Sequence, residues 1–180
     1  MRELGLAFTC LSPPESAEPL PFAGEDAGEY ALRAAWAKAE SVLPYAGPPP
    51  CTILAADTVV ALDGRILGKP RDAEEAYAML RLLAGRTHTV VSGCAIRPPS
   101  GPPAFFAVRS AVTMWDCPEP VIRAYANSGE PLDKAGAYAV QGAGAFLVER
   151  IEGSWSNVVG LPLAELVREM LRLGALCVRG

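Results

Sequence analysis

The chain contains a single histidine, His88, and no Cys-x-x-Cys pair, so it has little material for a structural metal centre. A tetrahedral zinc site needs four clustered Cys or His ligands, and a disulfide framework needs cysteines that can pair off. The five cysteines are odd in number and scattered along the chain. We therefore expect reduced, mostly buried cysteines in a cytoplasmic protein, and we expect His88 to support the fold rather than to act as a base.

The sequence also lacks a long apolar run and an excess of positive charge. No apolar segment approaches the ~20 residues that a membrane-spanning helix requires, and the amino terminus lacks the basic-then-apolar pattern of a secretion signal. The formal net charge of -4 argues against a broad basic face for a nucleic acid polymer. A small local group of lysines could still bind phosphates, so nucleotides remain candidate ligands, and the sequence leaves a homodimer open.

What the sequence does contain indicates one α/β domain. With 180 residues and 51% hydrophobic content the chain can fill one core, and we expect a single domain over residues 1–180. Hydrophobic periodicity, capping residues and turn signals such as Asp63-Gly64 separate the predicted elements. Helices are predicted at 26–43, 71–83, 118–128 and 163–173, and strands at 51–62, 87–96, 104–115 and 145–151. This order of helices and strands is typical of the α/β class.

The strongest chemical signal is the segment LAADTVVALDGRILGKP at 54–70. Asp57 lies inside an apolar run, where an unpaired charge is costly, and Lys69 follows in a rigid Gly-Lys-Pro turn. Open α/β sheets bind ligands at the carboxyl ends of their strands, so we expect both side chains in one cleft. A divalent cation that joins the carboxylate to a triphosphate would give the acid its partner. The competing interpretation is a surface acid at a strand end and a solvated lysine.

Two later segments differ in what they indicate. The segment GEPLDKAGAYAVQGAG at 129–144 carries four glycines beside Asp133, Lys134 and Gln141, so its backbone can approach a ligand closely. The side-chain amide of Gln141 can both donate and accept, as reading the imide edge of a pyrimidine base requires.

The segment at 153–162 favours a structural interpretation, with Ser and Asn bonding the local backbone and its valines and leucines in the core.

Five ordered blocks lie between residues 56 and 163: ADTVV at 56–60, LGKP at 67–70, MLRLLAGRTHTVVSG at 79–93, GEPLDKAGAYAVQG at 129–142 and NVVGLPL at 157–163. Together they closely resemble the Maf family of nucleoside triphosphate pyrophosphatases. The resemblance implies an α/β fold of the Maf (inosine triphosphate pyrophosphatase-like) type, in which helices flank a mixed central sheet and a cleft separates two lobes. It further implies hydrolysis of nucleoside triphosphates between the α and β phosphates, with a divalent cation, Mg²⁺ or Mn²⁺.

Residue by residue, the resemblance implies catalytic roles for three side chains. Asp57 matches the family's proton acceptor, Lys69 its phosphate-facing lysine, and Lys38 a helical lysine that reaches the same cleft. A second acid, which would share the cation with Asp57, aligns with the segment PPESAEP. Within that segment Glu18 is the preferred match and Glu15 the reserve.

The resemblance also bears on the substrate. Thr58 and Gln141 match positions linked to substrate choice, and the pattern around Asp133 and Lys134 resembles the branch that hydrolyses dTTP and UTP. We therefore expect pyrimidine triphosphates, including modified ones, as substrates, and house-cleaning of the nucleotide pool as the role. Two alternatives stay open: a non-catalytic nucleotide-binding regulator linked to cell division, and a pyrophosphatase for 7-methyl-GTP.

One departure from the family pattern concerns the amino terminus. Family members begin with a strand and an Ala-Ser-x-Ser-Pro-Arg-Arg turn that cradles the triphosphate. Here LGLAF at 4–8 fits the end of the helix that follows this turn, so we expect the chain to be incomplete at its start. Either it begins at an internal methionine, or it is a truncated member. Each absent guanidinium would remove charge-assisted bonds worth ~1.5–3 kcal/mol, and an absent strand would leave a sheet edge exposed.

Overall fold

The computed structural model describes residues 5–47 and 51–176, and a five-stranded sheet with helices on both faces organises them. Leu4 of the predicted helix end and Cys177 lie outside the described residues. The helices are α1 (Ala27–Ser41), α2 (Ala73–Leu83), α3 (Glu119–Ala126), α4 (Trp155–Val159) and α5 (Leu163–Arg172). The strands are β1 (Ile53–Leu62), β2 (Arg65–Leu67), β3 (Thr87–Arg97), β4 (Ala104–Met114) and β5 (Val148–Glu152).

The sheet has the strand order β2-β1-β3-β4-β5, and all four pairings are antiparallel. Asp63 and Gly64, with φ of 50° and 74°, form the tight turn that joins β1 to β2, as the sequence predicted. The α/β class is confirmed, but the expected mixed sheet is wrong for the described residues. Strands β2 and β3 run in the same direction, yet β1 lies between them, so they form no parallel pair.

Helix α1 lies unusually close to the sheet. It starts at the predicted acidic cap, where the Asp26 side chain accepts hydrogen bonds from the backbone N–H groups of Gly28 and Glu29. Its inner face is made of alanines, and at Gly93 on β3 an added Cβ would lie 2.3 Å from the backbone carbon of Ala31. The side chains at this contact are therefore small because no larger ones fit. This close approach brings the last turn of α1 within reach of β1.

The opposite face of the sheet carries the larger core. Side chains from β1, β3 and β4 pack there against α2 and α3, and Ile96 packs against Leu166 and Met170 of α5. The Asp72 side chain caps α2 by accepting from the N–H of Glu75 at 2.8 Å, as predicted. Within the described residues no helix is both long and apolar enough to cross a membrane.

Two local predictions differ from the structure. Strand β5 begins at Val148 rather than at residue 145, because Ala143–Leu147 forms a 3-10 helix. The segment at 153–162 contains the one-turn helix α4, which was not predicted. Ser154 caps this helix by accepting a hydrogen bond from the N–H of Asn157 at 3.2 Å. The expected hydrogen bond from Ser to the local backbone is therefore present, but it caps a helical turn.

Candidate active site

A cavity of about 540 Å³ opens at the edge of the sheet along β1. Strand β3 pairs with β1 from Ile53 to Ala61, whereas β2 pairs only with the last three residues, Val60 to Leu62. In the described residues, therefore, the outer edge of β1 from Ile53 to Val59 has no strand partner. Because the cavity wraps around this edge, side chains from both faces of β1 reach it.

The position of Asp57 corrects one step of the sequence reasoning. Asp57 lies in the middle of β1, not at its carboxyl end, so the site is at a strand edge rather than in the crevice beyond the strand ends. The expected cleft exists nonetheless. It brings together every predicted site residue: Glu18, Lys38, Asp57, Thr58, Lys69, Asp133, Lys134 and Gln141.

Three of these side chains form a compact charged group, which we call the acid end of the cavity: Glu18, Lys38 and Asp57. Lys38, on the last turn of α1, donates a hydrogen bond to Oδ1 of Asp57, and its Nζ lies 3.2 Å from Oε2 of Glu18. Asp57 is 6% exposed, whereas the Glu18 side chain is 43% exposed. The ammonium therefore marks a single point on which two carboxylates from different segments converge. The side chain of the reserve acid, Glu15, lies outside what the structure describes.

The burial of this group changes its proton affinities. Burial raises the pKa of Asp57, the negative charge of Glu18 adds to the rise, and the nearby Lys38 and Lys69 ammoniums oppose it. For Lys38, burial lowers the pKa, but the hydrogen bond and charge of Asp57 and the charge of Glu18 more than offset this and raise it overall. Asp57 is thus a more basic carboxylate than a surface aspartate, which suits a proton acceptor.

The chain has only three lysines, and all of them line this one cavity: Lys38, Lys69 and Lys134. No arginine among the described residues lines it. The turn that carries Lys69 is fixed by a backbone hydrogen bond of 3.0 Å from the N–H of Gly136 to the carbonyl of Gly68. Lys134 lies two residues before Gly136, where its Nζ also lies 2.7 Å from both carboxylate oxygens of Asp133. Lys69, which is exposed, and Lys134, which is half-buried, therefore come from adjoining turns and provide point charges suited to phosphates.

The cavity wall from α4 was misjudged from the sequence. Val158, Val159 and Gly160 line the cavity, and Val159 is 40% exposed, so its expected core position is wrong. Asn157 is fully buried and bonds distant strands rather than the local turn: its amide donates to the carbonyl of Val90 at 3.1 Å and to the hydroxyl of Ser110 at 2.9 Å. The only sequence signal for this wall was the block NVVGLPL.

Thr58 is held by the α4 segment and by β3. Its hydroxyl lies 2.7 Å from the hydroxyl of Ser92 and donates to the carbonyl of Gly160 at 3.2 Å. The position that the resemblance links to substrate choice is therefore fixed by two contacts. Whether it selects a substrate stays a prediction.

Two tyrosines of the cavity, Tyr30 and Tyr138, were not singled out from the sequence. The Tyr138 hydroxyl lies 2.7 Å from Nε2 of the buried His88. Burial lowers the pKa of His88 to about 4, so the imidazole is neutral at ordinary pH and does not face the cavity as a base. His88 thus supports the fold by holding Tyr138, as predicted.

The donor set at the acid end fits a cation that arrives with its substrate. Among the described residues there is no group of three or more His, Cys, Asp or Glu side chains that could hold a metal by themselves. Asp57 and Glu18 nevertheless present two carboxylates to one point, which the Lys38 ammonium marks. Mg²⁺ is commonly bound by one or two carboxylates together with phosphate oxygens and waters, and this pair matches that arrangement.

The fold and the cavity define an α/β protein with a pocket whose acids and lysines suit a small polyphosphate ligand. The chain belongs to the Maf family, because the family model described as Maf-like protein matches residues 1–173. The resemblance stated from the sequence blocks is thereby confirmed.

Individual relatives agree with this membership. A dTTP/UTP pyrophosphatase from Nitratidesulfovibrio vulgaris is 54% identical over 174 residues, covering 97% of this chain and 81% of the relative. One from Oleidesulfovibrio alaskensis is 48% identical over 185 residues, covering 100% of this chain and 82% of the relative. A crystal structure of a nucleoside-triphosphatase / dITP/XTP pyrophosphatase from Mycobacterium abscessus is a more distant likeness, with a TM-score of 0.39 and 17% identity over 98% of this chain and 88% of that one.

Proposed function

We propose that this chain hydrolyses dTTP and UTP to the corresponding monophosphate and pyrophosphate, and so removes unwanted pyrimidine triphosphates from the nucleotide pool. The observation that carries the proposal is the convergence of Asp57 with all three lysines in one cavity. The relatives named dTTP/UTP pyrophosphatase support the substrate class, and the chain spans about four fifths of their length. The cavity volume of about 540 Å³ also lies within the roughly 300–1,000 Å³ usual for small-ligand sites.

In the proposed mechanism, Asp57 accepts a proton from a water molecule that attacks the α phosphorus. The bond between that phosphorus and the α–β bridging oxygen breaks, and pyrophosphate leaves. The raised pKa of Asp57 helps it to take the proton, and Lys38 lies close enough to stabilise the carboxylate before the transfer. Lys69 faces the same space and, together with Lys38, would balance the charge that develops on the leaving pyrophosphate.

Asp57 and Glu18 are the residues that would hold a divalent cation, with Mg²⁺ or Mn²⁺ as the candidates. When bound, such a cation withdraws negative charge from the phosphate oxygens and so favours attack on phosphorus. Because the Lys38 ammonium contacts both acids, it would have to move aside for a cation to bind between them.

Two other lining residues, Gln141 and Thr58, are suited to the base. Gln141 carries one donor and one acceptor group, and the imide edge of uracil or thymine presents an N–H flanked by two carbonyls. The proposed role of Gln141 and Thr58 is therefore to select the base, and Asp133 and Lys134 would contact the substrate next to them.

The cytoplasm is the proposed location, since the four cysteines described by the structure are all free thiols.

The proposal is tested by measuring pyrophosphate release from a panel of dTTP, UTP, CTP, ATP and 7-methyl-GTP, each with Mg²⁺ or Mn²⁺. We expect dTTP and UTP to be hydrolysed with the highest kcat/KM, and no release without a divalent cation. A preference for 7-methyl-GTP would reassign the substrate. Tight binding of dTTP without pyrophosphate release would favour the non-catalytic regulator instead. Light scattering on the same sample would decide between a monomer and a homodimer.

A further inference from the structure

A carboxylate and a hydroxyl that do not line the cavity bracket the segment that carries Gln141. The carboxylate belongs to Glu130, in a 3-10 helix, and the hydroxyl to Tyr125, near the end of α3. Between their contacts lie Val140 and Gln141, which line the cavity, and Gly142. The Gln141 side chain itself is exposed, so its direction depends on how the backbone around it is held.

Glu130 holds the carboxyl-terminal side of this segment through both of its oxygens. Oε1 accepts from the backbone N–H of Ala143 at 2.9 Å, and Oε2 accepts from that of Gly144 at 2.8 Å. The approach is close: a Cβ at Gly142, whose φ is 115°, would lie 2.3 Å from Oε1 of Glu130. The backbone can therefore enter this carboxylate fork only as glycine.

Tyr125 holds the amino-terminal side. The backbone N–H of Ala139 donates to the Tyr125 hydroxyl at 3.3 Å. A Cβ at Gly144 would lie 2.3 Å from the same hydroxyl oxygen, so the two sides of the segment close on one point. Three backbone amides thus face acceptors: those of Ala143 and Gly144 face the carboxylate, and that of Ala139 faces the hydroxyl.

The ionisation states agree with this arrangement. The neighbouring Tyr125 hydroxyl is the main cause that holds the pKa of Glu130 below its usual range, and the backbone N–H groups add to it. Burial raises the pKa of Tyr125, and the nearby Glu130 carboxylate raises it further. At neutral pH, Glu130 is therefore a carboxylate that accepts from the two amides, and Tyr125 is a neutral phenol.

We propose that Glu130 and Tyr125 act as a clamp that fixes residues 140–142 and thereby sets the position of Gln141 against the nucleotide base. They are positioning residues for base selection, and this inference rests on the proposed hydrolysis of dTTP and UTP. Their effect acts through Gln141 and is separate from the proton transfer at Asp57.

The main test is Tyr125→Phe, which removes the hydroxyl but keeps the ring packed edge-on against Phe146, at 6.0 Å between centroids. The matched control is Tyr77→Phe, which removes a hydroxyl that donates to Glu119 at 2.7 Å outside the cavity. We expect Tyr125→Phe to raise KM for UTP about tenfold and to lower the preference for UTP over CTP by a similar factor, with kcat within about twofold of wild type. Tyr77→Phe should leave all three unchanged.

A double variant shows whether Tyr125 acts through Gln141. If it does, Tyr125→Phe combined with Gln141→Leu should have the same KM and the same UTP/CTP preference as Gln141→Leu alone. Glu130→Gln keeps one acceptor oxygen, so its KM for UTP and its UTP/CTP preference should lie between those of wild type and those of Glu130→Ala. Amide hydrogen exchange should speed up at Ala139 in Tyr125→Phe, and at Ala143 and Gly144 in Glu130→Ala.

The outcomes separate the clamp from the proposed activity. If wild type releases no pyrophosphate from UTP, the proposed function fails and base selection by the clamp fails with it. If wild type is active but Tyr125→Phe and Glu130→Gln keep its KM and UTP/CTP preference, the clamp is wrong and the activity stands. Equal losses of kcat and thermal stability with an unchanged preference would show a merely structural role and would also overturn the inference.

Discussion

The acid end of the cavity and its glycine-rich end, residues 129–144, are built from different kinds of structure. Lys38 and Asp57 project from a long helix and a ten-residue strand, and the helix contacts the neighbouring strand β3 closely at Gly93. The glycine-rich end has only short 3-10 turns with residues in the left-handed region, such as Gly136 and Ala137. Its order therefore depends on side chains that bond the backbone. In this molecule the proposed proton acceptor Asp57 and its partner Lys38 lie on regular elements, and the proposed contact of Gln141 with the base lies on braced turns.

The largest expected effect is the loss of turnover in Asp57→Asn. We expect pyrophosphate release to fall at least about a thousandfold, in line with the ~10²–10⁴-fold usually due to a general base. The fold should remain intact. Burial raises the pKa of Asp57 in the folded protein, so the free energy of unfolding falls as the pH rises through that pKa and Asp57 ionises. The side-chain amide of Asp57→Asn does not ionise, so the variant does not suffer this loss of stability. Lys38 keeps Glu18 as a partner.

The measurements are pyrophosphate release and a thermal melt at neutral pH. The matched control is Asp63→Asn, since Asp63 is an exposed acid in the turn directly after the same strand and pairs with Arg86 outside the cavity. Wild-type turnover in Asp57→Asn would remove the proton acceptor from the mechanism.

The second effect tests the rigidity of the acid end. In Gly93→Ala the new Cβ would overlap the backbone of Ala31, so α1 has to move away from the sheet and carry Lys38 with it. We expect the free energy of unfolding to fall by about 1–3 kcal/mol or more, together with a fall in kcat. Gly47→Ala is the control, because a Cβ there meets no atom within 4 Å. A Gly93→Ala protein as stable and active as wild type would show that the close contact is not needed.

The third effect tests the glycine-rich end. We expect Gln141→Leu to raise KM for UTP about tenfold, because the imide edge loses its hydrogen bonds, while the melting temperature stays unchanged, since the side chain is exposed. Gln141→Asn keeps the amide at a shorter reach and should give an intermediate KM. If Gln141→Leu lowered kcat as strongly as Asp57→Asn does, the division between the two ends would be wrong.

The smallest effect is a shift in the pH profile. Catalysis requires the ionised form of Asp57, so kcat/KM should rise with pH as this group loses its proton, and the raised pKa places that rise above the range of an ordinary aspartate. The charge of Glu18 contributes to the raised pKa. In Glu18→Gln the acid limb of kcat/KM should therefore move to lower pH, whatever happens to its maximum. A shift to higher pH would mean that Glu18 does not act on Asp57 through its charge.

The two regions also differ in how far the sequence predicted them. A charge inside an apolar run is visible in a sequence, so Asp57 stood out without any comparison. Lys38 and Glu18 did not, because a lysine on a helix and a glutamate in a loop usually face water, and only the family resemblance singled them out. The convergence of the eight predicted residues is a property of the fold around an open strand edge, which no local pattern encodes.

The turns were hardest to predict. Helix α4 is a single turn, too short for a hydrophobic period, and it is held by the hydrogen bonds of Asn157 to distant strands. The clamp at Glu130 and Tyr125 joins residues up to 14 positions apart through a carboxylate fork, so it has no signature in neighbouring residues. The antiparallel sheet likewise depends on which strand lies between β2 and β3, and the order of elements along the chain does not determine that.

The placement of every lysine in one cavity has a practical consequence for labelling. Apart from the α-amino group, the molecule has no primary amine outside the cavity lining. A mild acylating reagent would therefore act as a probe of the pocket itself, and protection of these three positions in a mass spectrum would report occupancy by a nucleotide without any radiolabel or coupled enzyme. Conversely, immobilising the protein through its amines would block the cavity, so attachment through an added terminal tag is the coupling chemistry that leaves it open.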